Sequence, residues 1–95
     1  MEERRRHTRE QILEHIIFSL NIHEFLETKR VEAEGKIINR SESGLCIQTH
    51  FPLEPGHVLI INNNEIGLVR WSRRVDSHYI AGIIRKGKIN GLSEN

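Results

Sequence analysis

Several residue types are scarce in this sequence, and each scarcity excludes a class of protein. The chain of 95 residues has a single cysteine, Cys46, which cannot form an internal disulfide and agrees with a reducing cytoplasm. Its longest apolar runs, such as 58–61, are too short to cross a bilayer, and no secretory signal is visible at the N-terminus. We therefore expect a cytoplasmic protein without membrane insertion.

An excess of charge of one sign is also missing. The formal net charge is +1, so the whole molecule does not present the positive field that attracts nucleic-acid polymers. The six histidines show no paired ligand spacing and the single cysteine has no thiol partner nearby, so we expect no structural metal. We expect no cofactor either. The sequence contains no Gly-rich phosphate loop and no serine or cysteine nucleophile motif, and nothing in it indicates an enzyme.

Short apolar stretches separated by turn-forming residues indicate an all-β domain. From residue 30 onward the candidate strands are 31–38, 45–50, 57–61, 66–75 and 79–85. Asn62, Asn63 and Asn64 tolerate positive φ and predict a hairpin. With one further strand at about 16–23, the chain predicts a six-stranded antiparallel β-barrel, because closure removes exposed sheet edges. Residues 86–95 are expected to form a loose tail.

The segment that precedes residue 24 fits two secondary structures. Apolar residues with helical spacing are Ile12, Leu13, Ile16, Ile17 and Leu20. Apolar residues with the alternation of a strand are Ile16, Phe18, Leu20 and Ile22. We favour a short helical turn at 9–14 that leads into the strand at 16–23. Residues 1–10 are almost wholly charged or polar and predict a flexible N-terminal arm.

Two short motifs stand out against the rest of the chain. The first is an R-x-x-x-R element formed by Arg5 and Arg9, with Arg4 and Arg6 beside them. The second is an N-x-S-x-x-G element, in which the motif residues are Asn39, Ser41 and Gly44. Each has a common explanation when it occurs alone, because arginine runs are usually solvated and such polar stretches are usually plain turns. Neither motif taken alone therefore identifies a binding site.

Together the two motifs resemble those of the PilZ domain family, whose members bind cyclic di-GMP through R-x-x-x-R and [D/N]-x-S-x-x-G. Further matches at 52–56, 67–71 and 79–83 extend the resemblance over nearly the whole chain, and it is weakest between residues 10 and 35. The resemblance implies a PilZ-type six-stranded barrel whose N-terminal arm folds over the ligand on one barrel face. It also implies a bacterial signalling domain that binds this second messenger without converting it.

The chemistry of the motif side chains suits the ligand that the resemblance implies. Cyclic di-GMP has two phosphates and two guanines, and the planar guanidinium of arginine can pair with either. We expect Arg5 and Arg9 to clamp the ligand, and Asn39 and Ser41 to form hydrogen bonds with it. Gly44 is expected to adopt a backbone conformation that other residues avoid, and its missing side chain can leave room for a guanine.

Four further residues are weaker candidates for ligand contact, namely Arg4, Arg6, Arg40 and Trp71. The resemblance implies that an extra arginine beside the clamp is compatible with a stacked pair of ligand molecules, so a stoichiometry of one or two ligands stays open. Trp71 is expected at the barrel wall or rim, on the same strand face as Val69. Cys46 is expected either in the core between its neighbours Leu45 and Ile47 or shielded on the opposite face.

Three functions are compatible with the sequence. The favoured function is a receptor in which cyclic di-GMP orders the arm and so creates a surface for an unidentified downstream protein. Because the sequence begins with Met1 and shows no effector domain, we expect this signal to act in trans. The first alternative is a PilZ-like adaptor that binds protein but no nucleotide. The second is a single-stranded nucleic-acid binder that uses Trp71 and its neighbours Arg70, Arg73 and Arg74.

Overall fold

The six strands of this chain close into an antiparallel β-barrel in a computed structural model that describes residues 13–89. The strands are β1 (Glu14–Glu24), β2 (Glu27–Arg40), β3 (Gly44–Thr49), β4 (Val58–Ile61), β5 (Glu65–Val75) and β6 (His78–Lys88). Around the barrel their order is β1, β2, β3, β6, β5 and β4, and β4 pairs with β1 to complete the ring. The all-β, six-stranded antiparallel barrel that the sequence predicts is confirmed.

The segment for which the sequence allowed both helix and strand forms the strand β1. Ile16, Phe18 and Leu20 are buried, and Ile17 between them is exposed, as the two-residue period of a strand requires. The strand predicted at 16–23 is therefore confirmed and is slightly longer. The helical turn expected at 9–14 is not found in its last two positions, since residue 13 is outside any helix and residue 14 begins β1. Residues 9–12 lie outside the described part of the chain.

The inward-facing side chains of all six strands fill the interior of the barrel. The buried apolar residues are Ile16, Phe18, Leu20, Ile37, Leu45, Ile47, Leu53, Leu59, Ile61, Val69, Ala81 and Ile83. Phe51, in the segment between β3 and β4, packs edge to face on Phe18 with 6.5 Å between the ring centroids. Burial of each large apolar side chain contributes about 1.5–3 kcal/mol to stability. Because this interior is packed with apolar groups, the outer face is where a polar ligand can bind.

The predicted asparagine hairpin joins β4 to β5 and also helps to close the barrel. Asn62 and Asn63 have φ values of 51° and 56°, and the Asn64 amide donates to the Ile61 carbonyl at 2.9 Å. Two consecutive positive φ values identify a type I′ turn, the turn that matches the twist of a hairpin. The Asn62 amide donates to the Ile17 carbonyl at 2.7 Å, and its Oδ1 accepts from the Ile17 amide at 3.0 Å.

Two strands extend further than the sequence indicated. β2 starts at Glu27 and pairs with β1 across a two-residue turn, Phe25-Leu26, so the hairpin projects beyond the predicted strand. β6 continues to Lys88, which pairs with Glu65, so the expectation of a loose tail beginning at residue 86 is wrong for 86–88. The polar composition of 86–88 did not predict this last part of β6. Strand formation there depends on pairing with β5 and not on apolar alternation.

Candidate functional site

Two β-bulges bring distant segments of the sequence to the outer face of the barrel. The register of β2 against β3 shifts between Ile37 and Asn39, and that of β5 against β6 shifts between Val69 and Trp71. Each bulge inserts one residue, so the residue after it faces the opposite way from what simple alternation predicts. Ile37 and Val69 are buried, whereas Asn39 and Trp71 are exposed. The expectation that Trp71 and Val69 share a strand face is therefore wrong.

Asn39 and Trp71 lie at the two ends of one row of cross-strand neighbours. Asn39 is opposite Cys46, Cys46 is opposite Gly82, and Gly82 is opposite Trp71. Adjacent strands are about 4.8 Å apart, so the row measures roughly 14 Å from β2 to β5. The row belongs to a groove of about 410 Å³, here called the outer groove, which is lined by Asn39, Ser41, Ser43, Gly44, Leu45, Cys46, Arg70, Trp71, Gly82, Ile83 and Ile84.

The indole of Trp71 lies directly over the backbone of Gly82. A Cβ at Gly82 would collide with Nε1 of the indole and would lie 2.5 Å from its Cε2. Only glycine therefore fits at this position unless the ring moves. Trp71 is 44% exposed, so one side of the ring is covered by β6 and the remainder is accessible from solvent beside the outer groove. A flat, half-exposed indole is a surface on which a planar base can stack.

The bend at residues 41–44 carries the second motif and is held by backbone hydrogen bonds and by Arg85. The Ser41 amide donates to the Gly44 carbonyl at 2.8 Å, and the Arg85 amide donates to the Ser43 carbonyl at 3.0 Å. The Arg85 side chain donates from Nη1 to the Ser41 carbonyl at 3.2 Å and from Nε to Glu65 Oε2 at 2.6 Å. Arg85 thus ties the bend to β5 through a half-buried ion pair.

Arg85 is a positioning residue that the sequence analysis missed. Its role depends on the pairing of β3 with β6, which brings residue 85 beside a bend more than forty positions earlier in the chain. No local motif in the sequence marks that neighbourhood. The neighbourhood follows from the pairing of β3 with β6, and the sequence predicted the six strands without their order around the barrel.

Gly44 does not have the unusual backbone that was expected of it. Among the described glycines, positive φ occurs at Gly56 and Gly87, so this expectation for Gly44 is wrong. The absence of a side chain has a different cause, because a Cβ at Gly44 would lie 3.1 Å from the Ile83 carbonyl oxygen. Gly44 therefore allows β3 to approach β6 closely where the bend meets the barrel.

The arginines around the outer groove differ in whether they already form an ion pair with a carboxylate of the described residues. Arg70 lines the groove and is exposed. Arg40, inside the second motif, forms an ion pair with Glu14 at the start of β1, and Arg85 is paired with Glu65. Two arginines in or next to the bend, Arg40 and Arg85, thus already form ion pairs with carboxylates. Arg73 does not line the groove, although its charge acts on Cys46 there.

Cys46 lies on the floor of the outer groove and not in the barrel core. It occupies the face opposite Leu45 and Ile47, which is the second of the two placements that the sequence allowed. Burial raises the pKa of the Cys46 thiol above its ordinary value, and the charge of Arg73 opposes this shift in part. The thiol is therefore neutral at physiological pH, and it forms a small, weakly polar part of the floor.

The chain enters the barrel beside the bend. Glu14 pairs with Ile37, two residues before Asn39, and also contacts Arg40. Arg4, Arg5, Arg6 and Arg9, the arginines of the first motif, lie outside the described residues 13–89. Five residues of fully extended chain span at most about 18 Å. The sequence distance from Arg9 to Glu14 is therefore compatible with contact to the outer groove.

Residues 13–89 contain neither a cluster of metal ligands nor a membrane-spanning helix. In that range no three side chains of His, Cys, Asp or Glu are grouped closely enough to hold a metal ion. The same residues include no helix with the length and apolar character needed to cross a membrane.

Comparison with known proteins identifies no relative of this chain. No family model matches it, and neither a similar curated protein nor a similar solved structure is found. Function therefore has to be inferred from the barrel and from the chemistry of the outer groove.

Proposed function

We propose that this protein is a PilZ-like receptor that binds cyclic di-GMP in the outer groove and signals to a downstream protein. The observation that carries the proposal is the meeting of two distant segments. Asn39, Ser41 and Gly44 of the second motif line the same groove as Arg70 and Trp71. In this proposal the ligand is bound and released unchanged, so the protein acts as a receptor and not as an enzyme.

The groove offers the two kinds of contact that a guanine needs. Trp71 presents a half-exposed ring for stacking, while Asn39 and Ser41 present an amide and a hydroxyl that can pair with a guanine edge. These groups stand on opposite sides of a floor made by Cys46 and Gly82. The groove volume of about 410 Å³ is within the range of about 300–1,000 Å³ that is usual for small-molecule sites.

The two phosphates of the ligand carry more negative charge than the side chains that line the groove can neutralise. Arg40 and Arg85 are already paired with carboxylates, which leaves Arg70 as the arginine that lines the groove without an ion-pair partner among the described residues. In the proposal, Arg5 and Arg9 provide the missing charge, with Arg4 and Arg6 as further donors. The position of Glu14 supports this assignment. Glu14 lies beside the bend, so the residues that precede it in the sequence are joined to the barrel next to the groove.

Signalling follows from the change that the ligand imposes on the arm. Closure of an arginine-rich segment over a bound dinucleotide would create a surface that is absent without the ligand. A downstream protein that recognises this surface would bind the complex in preference to the free receptor. The differential affinity for the two states sets how strongly the ligand can control that partner.

Binding of a nucleic-acid polymer has less support. Single-strand platforms place several exposed aromatic side chains along one groove. Among the described residues, the exposed aromatics are Trp71 and Phe25, and Phe25 lies at the end of β1 that is remote from the outer groove. A single stacking residue suits a compact dinucleotide better than a long strand.

Ligand-dependent thermal stability tests the proposal. Cyclic di-GMP at a hundred times its dissociation constant should stabilise the wild-type fold by about 2.7 kcal/mol. Arg5→Ala and Trp71→Ala each remove one contact and should shrink this stabilisation, because the loss of a contact of about 1.5–3 kcal/mol weakens binding about ten- to a hundredfold. Lys88→Ala, at the exposed end of β6, is the matched control and should respond like the wild type.

Two outcomes would argue against the receptor. Equal ligand responses in all four proteins would reject the assignment of the site. If no protein responds at any ligand concentration, the adaptor that binds protein but not nucleotide becomes the better explanation.

A further inference from the structure

A pocket opens on the outer surface of the barrel where β1 and β4 stop pairing. Two pairs join these strands, Phe18 with Ile61 and Ser19 with Ile60, and β1 then continues to Glu24. The space beside this part of β1 has a volume of about 320 Å³ and is here called the β1–β4 pocket. The side chains that give the pocket its chemistry are those of Ser19, Asn21, Arg30, His57, Val58 and Ile60.

Arg30 supplies the β1–β4 pocket with one fixed positive charge. It lies on β2 and donates from Nη2 to Ser19 Oγ at 3.1 Å. A guanidinium has five N–H donors, so four remain for a ligand. Among residues 13–89, no carboxylate forms an ion pair with Arg30 and no Asp or Glu lines the pocket; Glu32 lies opposite Ser19 but is not part of the lining. An anion in this pocket therefore meets the charge of Arg30 without a carboxylate in the wall.

Ser19 is a buried hydroxyl that orients the guanidinium of Arg30. Its side chain is 4% exposed, and buried polar groups in folded proteins are normally hydrogen-bonded. Ser19 Oγ accepts from Arg30, whereas the hydroxyl hydrogen donates to no acceptor among the described residues. The pairing of Ser19 with Ile60 holds its backbone in the barrel wall. The hydroxyl is therefore a further donor, fixed in position beside the charge.

His57 and Asn21 add donors to the same pocket. The amide of Glu54 donates to His57 Nδ1 at 3.1 Å, so the hydrogen of the neutral ring is on Nε2. The backbone of His57 is held from both sides, because its amide donates to the Glu54 carbonyl at 3.1 Å and its carbonyl accepts from the Val69 amide at 2.9 Å. Asn21 lies directly opposite Arg30 and has two amide hydrogens that it can donate.

We propose that the β1–β4 pocket binds the phosphate group of a small phosphomonoester. A guanidinium, a hydroxyl, an imidazole N–H and an amide line one pocket, and a phosphate monoester presents three strongly accepting oxygens where a carboxylate presents two. The planar guanidinium of Arg30 can pair with two of these oxygens at once. Val58 and Ile60 of β4 form an apolar wall that can cover the organic part of the ligand.

The β1–β4 pocket is separate from the outer groove. The two share no lining residue, because the pocket lies against β1 and β4 and the groove lies against β3, β5 and β6. A phosphomonoester can therefore bind whether or not cyclic di-GMP occupies the outer groove. The proposal does not depend on the receptor function.

Titration of the full chain with phenyl phosphate, followed by the amide resonances in NMR, tests the site. Saturable shifts are expected at 19–21 and 56–58. Arg30→Gln loses a charge-assisted contact and should raise the dissociation constant about ten- to a hundredfold. Arg74→Gln removes the same charge from an exposed position near the end of β5 and is the matched control, which should bind like the wild type. Benzoate, with the same ring and a carboxylate, should bind about tenfold more weakly, because it can accept fewer hydrogen bonds.

Ser19→Ala provides a second variant in case Arg30→Gln does not fold, and it should also weaken binding of phenyl phosphate. Arg30→Gln should keep the wild-type affinity for cyclic di-GMP, so failure of this site and failure of the receptor function can be told apart. The proposal is overturned if phenyl phosphate shifts no resonance of the pocket, if its shifts are confined to 39–46, or if Arg30→Gln and Arg74→Gln weaken binding equally. Benzoate that binds as tightly as phenyl phosphate would reject the phosphate specificity.

Discussion

Replacement of Gly82 by alanine probes the contact that shapes the outer groove. The new Cβ would lie 2.5 Å from Cε2 of Trp71, and pairing with β3 and β5 holds the backbone of Gly82 in place. The indole must therefore move. Overpacking of this kind costs about 1–3 kcal/mol. For a domain of this size, each 1 kcal/mol lowers the melting temperature by about 4–8 °C.

A double-mutant cycle separates this collision from a general effect on β6. In a Trp71→Ala background the space over residue 82 is vacant, and glycine 82 has no positive φ that would make alanine unfavourable. An alanine there lowers the entropy of the unfolded chain and should stabilise by about 0.4–1 kcal/mol. Urea denaturation followed by circular dichroism gives the free energy of unfolding of the wild type, both single variants and the double variant.

The cycle has a clear contradicting result. If Gly82→Ala costs the same free energy in both backgrounds, within about 0.5 kcal/mol, Trp71 does not lie over residue 82. The fluorescence of Trp71, the sole tryptophan, provides a second readout, because a displaced indole should emit differently. The emission spectrum of Gly82→Ala should therefore differ from that of the wild type, and an identical spectrum would contradict the placement of the ring.

Three further predictions concern the bend, the barrel closure and the groove floor. Arg85→Ala leaves Glu65 unpaired and should destabilise the fold by about 1–3 kcal/mol, with faster amide exchange in the bend at 41–44; unchanged exchange there would contradict the positioning role. Asn62→Ala removes the acceptor of the Ile17 amide and places alanine at a φ of 51°, so it should cost about 1–3 kcal/mol, and Asn62→Gly should cost less. Equal costs would show that the backbone at this turn is unstrained. Alkylation of Cys46 by iodoacetamide should be slow near neutral pH and accelerate in alkaline solution, because burial raises the pKa of its thiol and the thiolate is the reactive form. A rate at neutral pH equal to that of free cysteine would contradict this.

The barrel could be predicted because its elements are specified locally. The alternation of Ile16, Phe18 and Leu20 marks the inward face of β1, and the asparagine triplet after β4 specifies its own turn. Six such strands leave few ways to satisfy every sheet edge other than closure. The prediction of a helical turn at 9–14 is wrong for residues 13 and 14, because helical spacing and strand alternation overlap in a short apolar segment.

The shape of the site could not be predicted, because it depends on pairing between distant strands. The bulge that turns Trp71 outward exists only in the register of β5 against β6, and alternation alone placed this residue with Val69. The candidates Asn39, Ser41 and Gly44 were singled out because they resemble the second PilZ motif, although the reason for a glycine at 44 lies in the approach of β3 to β6. Local sequence contains neither piece of information.

Calorimetric titration of the full chain with cyclic di-GMP tests the central claim most directly. We predict saturable binding of cyclic di-GMP, a much weaker response to cyclic di-AMP and GTP, and a loss of affinity of about ten- to a hundredfold in Arg9→Ala and in Asn39→Ala. The molar ratio also decides between one ligand and a stacked pair. A wild-type chain that is folded and yet shows no saturable heat with cyclic di-GMP would contradict the account.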